Sequence, residues 1–248
     1  MPRAFVEEVG QLALLAWSSA TWSLRPPYRI ALFVEAMEFI GFQSVFIISL
    51  TGWFSGGVLA LQTVYGFRQF GAEGMVGGVV ALSLTRELSP VFASLMLTSR
   101  AGSAIATELG TMRVTDQIDA LATMAVNPVQ YLVVPRVLAG VVMMPALCML
   151  FTVTGMVGAY MVGVGSLGID PGVFMDRVRW YVDADDLFGG LLKAAIFGYV
   201  VTLIACRQGF WAKGGAAGVG VAVTKAVVFG SVSVLVLDYL LTALITPV

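Results

Sequence analysis

The sequence predicts an all-α membrane protein with an N-terminal interfacial amphipathic helix, five transmembrane helices and a polar helix between the second and third spans. Of its 248 residues, 58% are hydrophobic, and the mean hydropathy is +0.91. Soluble domains are only about half apolar. The apolar runs approach the ~20 residues that a helix needs to cross ~30 Å of hydrocarbon. They lack the alternation of apolar and polar residues that a membrane β-barrel requires.

Charge, histidine and cysteine content argue against other classes. The net charge of -1 and the pI near 5.4 provide no basic face for nucleic acid. Histidine, the commonest general base and metal ligand, is absent. Cys148 and Cys206 lie in apolar runs without CxxC spacing, which is typical of small core residues. Without a GxSxG or GxxxxGK[ST] motif the chain is predicted not to be an enzyme. No metal site is predicted, because Asp183, Asp185 and Asp186 are interpreted as a solvated loop.

Residues 1–43 are predicted to form two helices at the membrane surface. An apolar stripe with three- and four-residue spacing runs along the first of them: Phe5, Val9, Leu12 and Ala16. This spacing is typical of an interfacial amphipathic helix. Pro26 and Pro27 are expected to end it, because proline lacks a backbone donor. A second amphipathic piece, residues 29–43, leads into a five-span domain of residues 44–248.

Five apolar runs are predicted to cross the membrane: residues 45–65, 74–97, 136–163, 187–206 and 219–245. Gly52 and Gly56 in the first run have the small-xxx-small spacing that lets another helix approach closely. Simple tolerance of glycine by a membrane helix is the alternative interpretation. The third run is longer than a bilayer requires, so a tilt or a break is expected, with Pro145 as a kink point.

Basic residues outside the spans predict the orientation. The loops on one side carry eight of them: Arg3, Arg25, Arg29, Arg100, Arg113, Arg136, Arg207 and Lys213. The positive-inside rule makes that side cytoplasmic, so the N-terminus is predicted inside and the C-terminus outside. The loop between the third and fourth spans carries more aspartate than arginine, which suits the outer face.

Charges inside the apolar runs are the first candidate functional residues. A mid-span charge costs ~2.5–3.5 kcal/mol even on a lenient insertion scale, so Arg86 and Glu87 are predicted not to face lipid tails. Adjacent helical residues point roughly 100° apart, so the two side chains should serve different surfaces. A structural bridge to another helix and a polar contact in a substrate cavity remain alternatives. Lys193 and Lys225 are expected to snorkel. Asp238 lies deeper, where pairing with a basic residue is one interpretation.

Residues 100–124 are a charged segment between two long apolar stretches. Four charges stand within twelve of its residues: Glu108, Arg113, Asp116 and Asp119. Helical spacing puts Arg113, Asp116 and Gln117 on one face, with Asp119 to the side. A complementary apolar stripe is formed by Ile105, Leu109 and Met112. The pattern predicts a cytoplasmic helix over about 102–124 that docks into a groove of a soluble partner. A solvated interfacial helix without a partner is the alternative.

Three stretches carry a family resemblance: VALSLTRELSPV, SRAGSAIATELGTMRVTDQIDALATMAVNP and the closing VLDYLLTAL. With them the sequence resembles the MlaE (YrbE) family of lipid ABC-transporter permeases, across about residues 44–246. The resemblance implies a multi-pass permease in the bacterial inner membrane that pairs with a second copy of itself and with two cytoplasmic ATPases. A substrate-binding protein with an MCE domain is the further partner. Systems of this family move phospholipids or related lipids between the inner membrane and the outer envelope. No cofactor is implied for this chain, because ATP and Mg²⁺ bind the partner ATPase.

The resemblance also assigns residues. The stretch matching residues 108–121 is the family's coupling helix, and its ATPase-coupling candidates are Glu108, Arg113, Asp116, Gln117 and Asp119. The substrate-binding candidates, in or near an outward-open cavity at the dimer interface, are Leu59, Gln62, Phe70, Arg86 and Glu87. Asp116 stands where glutamate is common in the family, which keeps the charge.

Two functions from other classes remain as alternatives. One is a stand-alone channel or ion-coupled secondary transporter that uses Arg86 and Glu87 as a relay. The absence of an internal repeat in the sequence weakens it. The other is a structural scaffold that only recruits the ATPase, and it leaves the mid-span charges unexplained.

Overall fold

The computed structural model describes residues 2–23, 25–26 and 29–245, and these residues form helices without any strand. The helices are α1 (Pro2–Ser23), α2 (Ile30–Ile40), α3 (Val45–Arg68), α4 (Val76–Ser83), α5 (Ser89–Leu97), α6 (Ser103–Val114), α7 (Gln117–Thr123), α8 (Val134–Tyr160), α9 (Pro171–Tyr181), α10 (Ala184–Phe210) and α11 (Gly215–Ile245). Two π-helical turns, Leu84–Leu88 and Thr98–Gly102, join α4, α5 and α6 into one continuous run. The predicted all-α fold is confirmed.

Five stretches are long and apolar enough to cross a membrane: Ile30–Arg68, Glu73–Val114, Val129–Ser166, Ala184–Phe210 and Gly215–Leu244. The prediction of five spans is therefore confirmed, and the chain is a multi-pass membrane protein. The predicted domain boundary at residue 44 falls at a 3₁₀ turn, Phe42–Ser44, between α2 and α3. Pro145, the expected kink point, lies inside α8.

The second span occupies the centre of the bundle. Its helices α4, α5 and α6 together pack against α3, α8, α10 and α11. The predicted end at residue 97 is corrected, because the helix continues to Val114. Ile105 and Leu109 are fully buried in this continuation, and it packs against α10 and α11.

Glycines allow a close approach between α3 and α8. A Cβ atom on Gly56 would overlap the carbonyl oxygen of Gly155, and one on Gly52 would lie 2.8 Å from the carbonyl oxygen of Phe151. Backbone-to-backbone contact of this kind is the use of small residues that the spacing predicted. The prediction that another helix approaches at Gly52 and Gly56 is confirmed.

The direction in which each span runs defines two ends of the bundle, which we call the α7 end and the α9 end. The α7 end carries α1, α2, α7 and the turn between α10 and α11, and the α9 end carries α9 and the turn between α3 and α4. At the α7 end Arg207 lies within α10 instead of in a loop, with its side chain buried. Its Nη2 donates to Gln11 Oε1 over 2.9 Å, and Nη1 lies 3.5 Å from Glu8. These contacts hold α1 to the bundle through polar residues that the sequence placed off its apolar stripe.

The structure describes the side chains of the apolar stripe of α1 only in the second half of the stripe. Leu12 and Ala16 pack against the hydrophobic core, while Trp17 is exposed. The other two predicted positions, Phe5 and Val9, lie outside the described side chains.

Candidate functional site

Arg86 and Glu87 lie on the π-helical turn Leu84–Leu88 in the second span. Single π-helical turns inside longer helices occur frequently at functional sites. Pro90 follows closely and has no backbone N–H, so it cannot bond the carbonyl group of Arg86 four residues earlier. The Lys193 ammonium group, from α10, donates to that carbonyl oxygen instead, over 3.3 Å. A distant side chain therefore satisfies a backbone group that the proline leaves open.

Lys193 is the centre of a buried polar network that joins three spans. Its Nζ lies 3.0 Å from both carboxylate oxygens of Glu87 and 3.4 Å from Asp238 Oδ1 in α11. It also donates to the Thr242 hydroxyl over 2.7 Å. Only 3% of Lys193 is exposed, so the expectation that it snorkels is wrong. The suggestion that Asp238 pairs with a basic residue is confirmed. Lys225, by contrast, is half exposed, with Nζ 3.6 Å from Glu8.

Arg86 makes a separate ion pair with Asp186, at the start of α10. The Arg86 Nε donates to Asp186 Oδ1 over 2.6 Å. The second oxygen of Asp186 accepts from the backbone N–H of Asp183 over 3.1 Å, in a reciprocal capping box. The solvated-loop interpretation is thus wrong for Asp186, which is buried. Arg86 and Glu87 serve different partners, as their helical positions predicted.

The network lies inside the bundle, more than one helical turn from its α9 end. Lys193 is nine residues from the start of α10 and Asp238 seven from the end of α11, which places them about 14 Å and about 10 Å from those ends. Charges at such depth are stabilised when they pair with one another. Arg86 nevertheless keeps 45% of its side chain exposed and Glu87 37%. The site can therefore offer both a guanidinium and a carboxylate to a ligand.

The other substrate-binding candidates lie elsewhere. Leu59 packs partly against the core from α3, Gln62 is on the exposed side of α3, and Phe70, beyond its end, is 81% exposed. Among the described side chains, no hydrogen bond or ion pair connects these three with Arg86 or Glu87. Large exposed apolar residues share the outer face of α3: Phe46, Leu50, Trp53, Phe54, Val58, Leu61 and Tyr65. The five candidates thus lie on two different spans: three on α3 or just beyond its end, and two on the π-helical turn of the second span.

The predicted helix over 102–124 is in fact two helices. Asp116 has a left-handed backbone, with φ of 58°, and separates α6 from α7. Aspartate tolerates this conformation better than most residues. Ile105 and Leu109 pack inside the bundle, so this stripe is not available to a soluble partner. The break also brings Asp119 to Arg113, whose Nη1 donates to it over 2.6 Å, so Asp119 does not lie off to the side.

Of the remaining coupling candidates, one forms an ion pair with a neighbouring span and the others are exposed. Glu108 accepts from Arg136 Nη2 over 2.7 Å, and Arg136 also donates to the Leu132 carbonyl oxygen over 2.6 Å. Asp116 and Gln117 are exposed, and so is Asp119 despite its ion pair. A groove of about 640 Å³ lies beside Glu108, between α2, α6 and the start of α8.

Sequence reasoning missed the joint network of Glu87, Lys193, Asp238 and Thr242. A signal was present, since three charges in separate apolar runs need partners and Pro90 leaves a carbonyl group open. Helix packing was needed to pair them, because Glu87 and Lys193 are 106 residues apart.

Comparisons with known proteins agree with this architecture. The family model described as Permease MlaE matches residues 33–244. A probable ABC transporter permease protein of Rickettsia felis is 42% identical over 240 residues, which cover 97% of this chain and 93% of the relative. The intermembrane phospholipid transport system permease protein MlaE of Haemophilus influenzae is 41% identical over 97% of this chain and 92% of its own. The chloroplastic protein TRIGALACTOSYLDIACYLGLYCEROL 1 of Arabidopsis thaliana is 34% identical over 85% of this chain and 60% of its own. This chain therefore belongs to the MlaE permease family.

Proposed function

We propose that this chain is the permease subunit of an ATP-driven phospholipid transporter of the bacterial inner membrane, with ATP and Mg²⁺ bound by a separate ATPase. The phospholipid class is suggested by the name of the Haemophilus influenzae relative. The observation that carries the proposal is the polar network beside the π-helical turn, where Arg86 and Glu87 stay partly exposed within a span. Two copies of the chain would enclose the lipid pocket, and a protein with an MCE domain would exchange lipid with it.

The proposed orientation places the α7 end in the cytoplasm and the C-terminus in the periplasm. Arg25, Arg29, Arg113 and Lys213 lie at the α7 end, whereas Arg68, Arg177 and Arg179 lie at the α9 end beside several aspartates. The excess of basic residues at the α7 end supports the assignment. The Arg86 network would then lie in the outer half of the membrane.

In the proposed pocket, apolar walls hold acyl chains and Arg86 binds the head-group phosphate. A guanidinium group binds phosphate through two parallel hydrogen bonds. Asp186 holds the guanidinium in place through Nε, and Glu87 is held by Lys193. Gln62 on the exposed side of α3, Phe70 beyond its end and the partly buried Leu59 would line the pocket where a second copy faces them.

In the proposed coupling step, the ATPase binds α7 and its flanks through Asp116, Gln117 and Asp119. Motion of the ATPase reaches the lipid site because the second span is one helical run from Glu73 to Val114. Glu108 connects this run to α8 through Arg136. Such coupling requires that ATP-bound and ATP-free partners favour different permease conformations.

A first prediction tests the head-group contact. The variant Arg86→Ala is expected to lower ATP-dependent transfer of a fluorescent phospholipid between proteoliposomes by about tenfold to a hundredfold, because a charged hydrogen bond contributes ~1.5–3 kcal/mol. The control is Arg68→Ala, which removes an exposed arginine paired with Glu73 at the same end. Unchanged phospholipid transfer in Arg86→Ala would contradict the head-group contact and favour the scaffold alternative. Transfer by the purified chain without ATP would favour the ion-coupled carrier.

A second prediction tests the coupling surface. The charge-reversed variant Arg113→Asp, Asp119→Arg keeps an ion pair between α6 and α7, and Asp116→Lys is added to it. We expect association with the ATPase, measured by copurification and titration in detergent, to weaken about tenfold, or ~1.4 kcal/mol. Opposed like charges across an interface reduce affinity. Asp176→Lys on α9 is the control, since it changes an exposed aspartate at the opposite end. Full ATPase binding by the reversed variant would contradict the coupling role.

A further inference from the structure

A groove of about 250 Å³ lies on the outer surface of the bundle at the α7 end. It is bounded by the end of α1, the start of α2 and the start of α8. Its floor is apolar, with Ile30, Phe33, Leu138 and Val142, and Arg25 and Arg29 lie at its rim. Ile30, Leu138 and Val142 are each at least 40% exposed, so the floor opens outward from the bundle.

The guanidinium group of each of the two arginines lies over an aromatic ring. The Arg29 guanidinium lies 4.5 Å from the centre of the Tyr131 ring, and that of Arg25 lies 5.4 Å from the Trp22 ring. Stacking occupies the face of a guanidinium group and leaves its N–H edge available. No carboxylate among the side chains that the structure describes lies within 4.0 Å of either group. The groove therefore has two cations directed by aromatic contacts and without a described anionic partner.

The apolar floor continues from the arginines into the depth of the membrane. Leu138 and Val142 are four and eight residues into α8, or about 6 Å and about 12 Å from its start. Further exposed apolar residues extend the line along α8: Met149, Val153 and Val157. Trp22 at the rim suits the interface, where tryptophan is enriched. A soluble partner does not reach this depth, whereas an acyl chain does.

We infer that this groove binds an anionic phospholipid, with its phosphate between Arg25 and Arg29 and one acyl chain along Ile30, Leu138 and Val142. Basic pockets between membrane helices on the cytoplasmic side are typical sites for anionic head groups. The site is separate from the transport network, because the network lies towards the α9 end and this groove lies at the α7 end. The inference depends on the membrane placement of the chain and not on its proposed cargo.

The test compares binding of phosphatidylglycerol and phosphatidylcholine to the purified full chain by native mass spectrometry. We expect R25A/R29A to lower retained phosphatidylglycerol at least fivefold and to leave phosphatidylcholine unchanged. The matched control R177A/R179A removes two exposed arginines from α9 and should retain phosphatidylglycerol normally. A second variant, Val142→Trp, fills the floor without changing charge and should lower retention as well. Phosphatidylglycerol with a photoreactive acyl chain should label the peptide that contains residues 138–142.

Equal loss of both lipids, or equal loss in R177A/R179A, would overturn the inference. So would labelling confined to the outer face of α3, or a change in oligomeric state in R25A/R29A and Val142→Trp with lipid retention unchanged, since that would assign the groove to a second copy. Arg86→Ala should retain phosphatidylglycerol at this groove. Failure of the transport proposal and failure of this one therefore give different results.

Discussion

Replacing Lys193 with methionine is expected to destabilise the folded chain by about 3 kcal/mol, the largest effect we predict for one side chain. The substitution leaves the carboxylates of Glu87 and Asp238 facing each other without their shared cation. Removing one partner of a buried ion pair costs ~3–5 kcal/mol, and partial exposure of Glu87 favours the lower end of that range. The carbonyl group of Arg86, which Pro90 cannot bond, also loses its donor. The measurement is the midpoint of thermal unfolding of the purified chain in detergent.

A rescue variant separates charge from packing. Adding Glu87→Gln and Asp238→Asn to Lys193→Met removes the stranded charges, so most of the lost stability should return. Phospholipid transfer should stay low in the triple variant, because Glu87 belongs to the proposed lipid site. Lys193→Met with unaltered stability would contradict the buried network. Recovery of both stability and transport in the triple variant would assign the network a purely structural role.

Replacing Gly56 with alanine is expected to cost about 1–3 kcal/mol, because its Cβ would collide with the backbone of Gly155. A backbone atom cannot move aside as a flexible side chain can, so α3 and α8 must separate along their contact. Gly66→Ala in the same helix is the matched control, since a Cβ there meets nothing within 4 Å. That control should be neutral or stabilising by up to ~1 kcal/mol, because alanine favours a helix over glycine.

The two alanine variants are compared by thermal unfolding in the same detergent. Equal stability of Gly56→Ala and Gly66→Ala would show that α3 and α8 do not approach as closely as the structure has them. A greater loss of stability in Gly56→Ala at unchanged helix content would confirm that the contact between helices, and not helix propensity, causes the loss.

Several features could be predicted because they depend on neighbours in the sequence. The apolar runs identified the five spans, since crossing the hydrocarbon requires ~20 consecutive apolar residues. Spacing identified Gly52 and Gly56 as a close approach. The cost of a mid-span charge marked Arg86 and Glu87 as residues that need partners.

Other predictions failed where the answer depended on distant segments. Lys193 was expected to snorkel because a lysine near a span end can reach water, but its partners, Glu87 and Asp238, are 106 and 45 residues away. Ile105 and Leu109 had the spacing of a docking face, yet packing of α6 against α10 and α11 buries them. The left-handed backbone of Asp116 then turns α7 away from α6.

The sequence by itself determined the membrane class, the number of spans, the position of the charged segment and, through its motifs, the family. Each of these is a local property, because it depends on residues that follow one another in the sequence and lie in the same environment. Tertiary structure alone decided which charges pair, where the second span ends and which faces stay exposed. Those outcomes follow from helix packing, because a buried charge is stabilised by whichever opposite charge the neighbouring helices bring within about 3 Å.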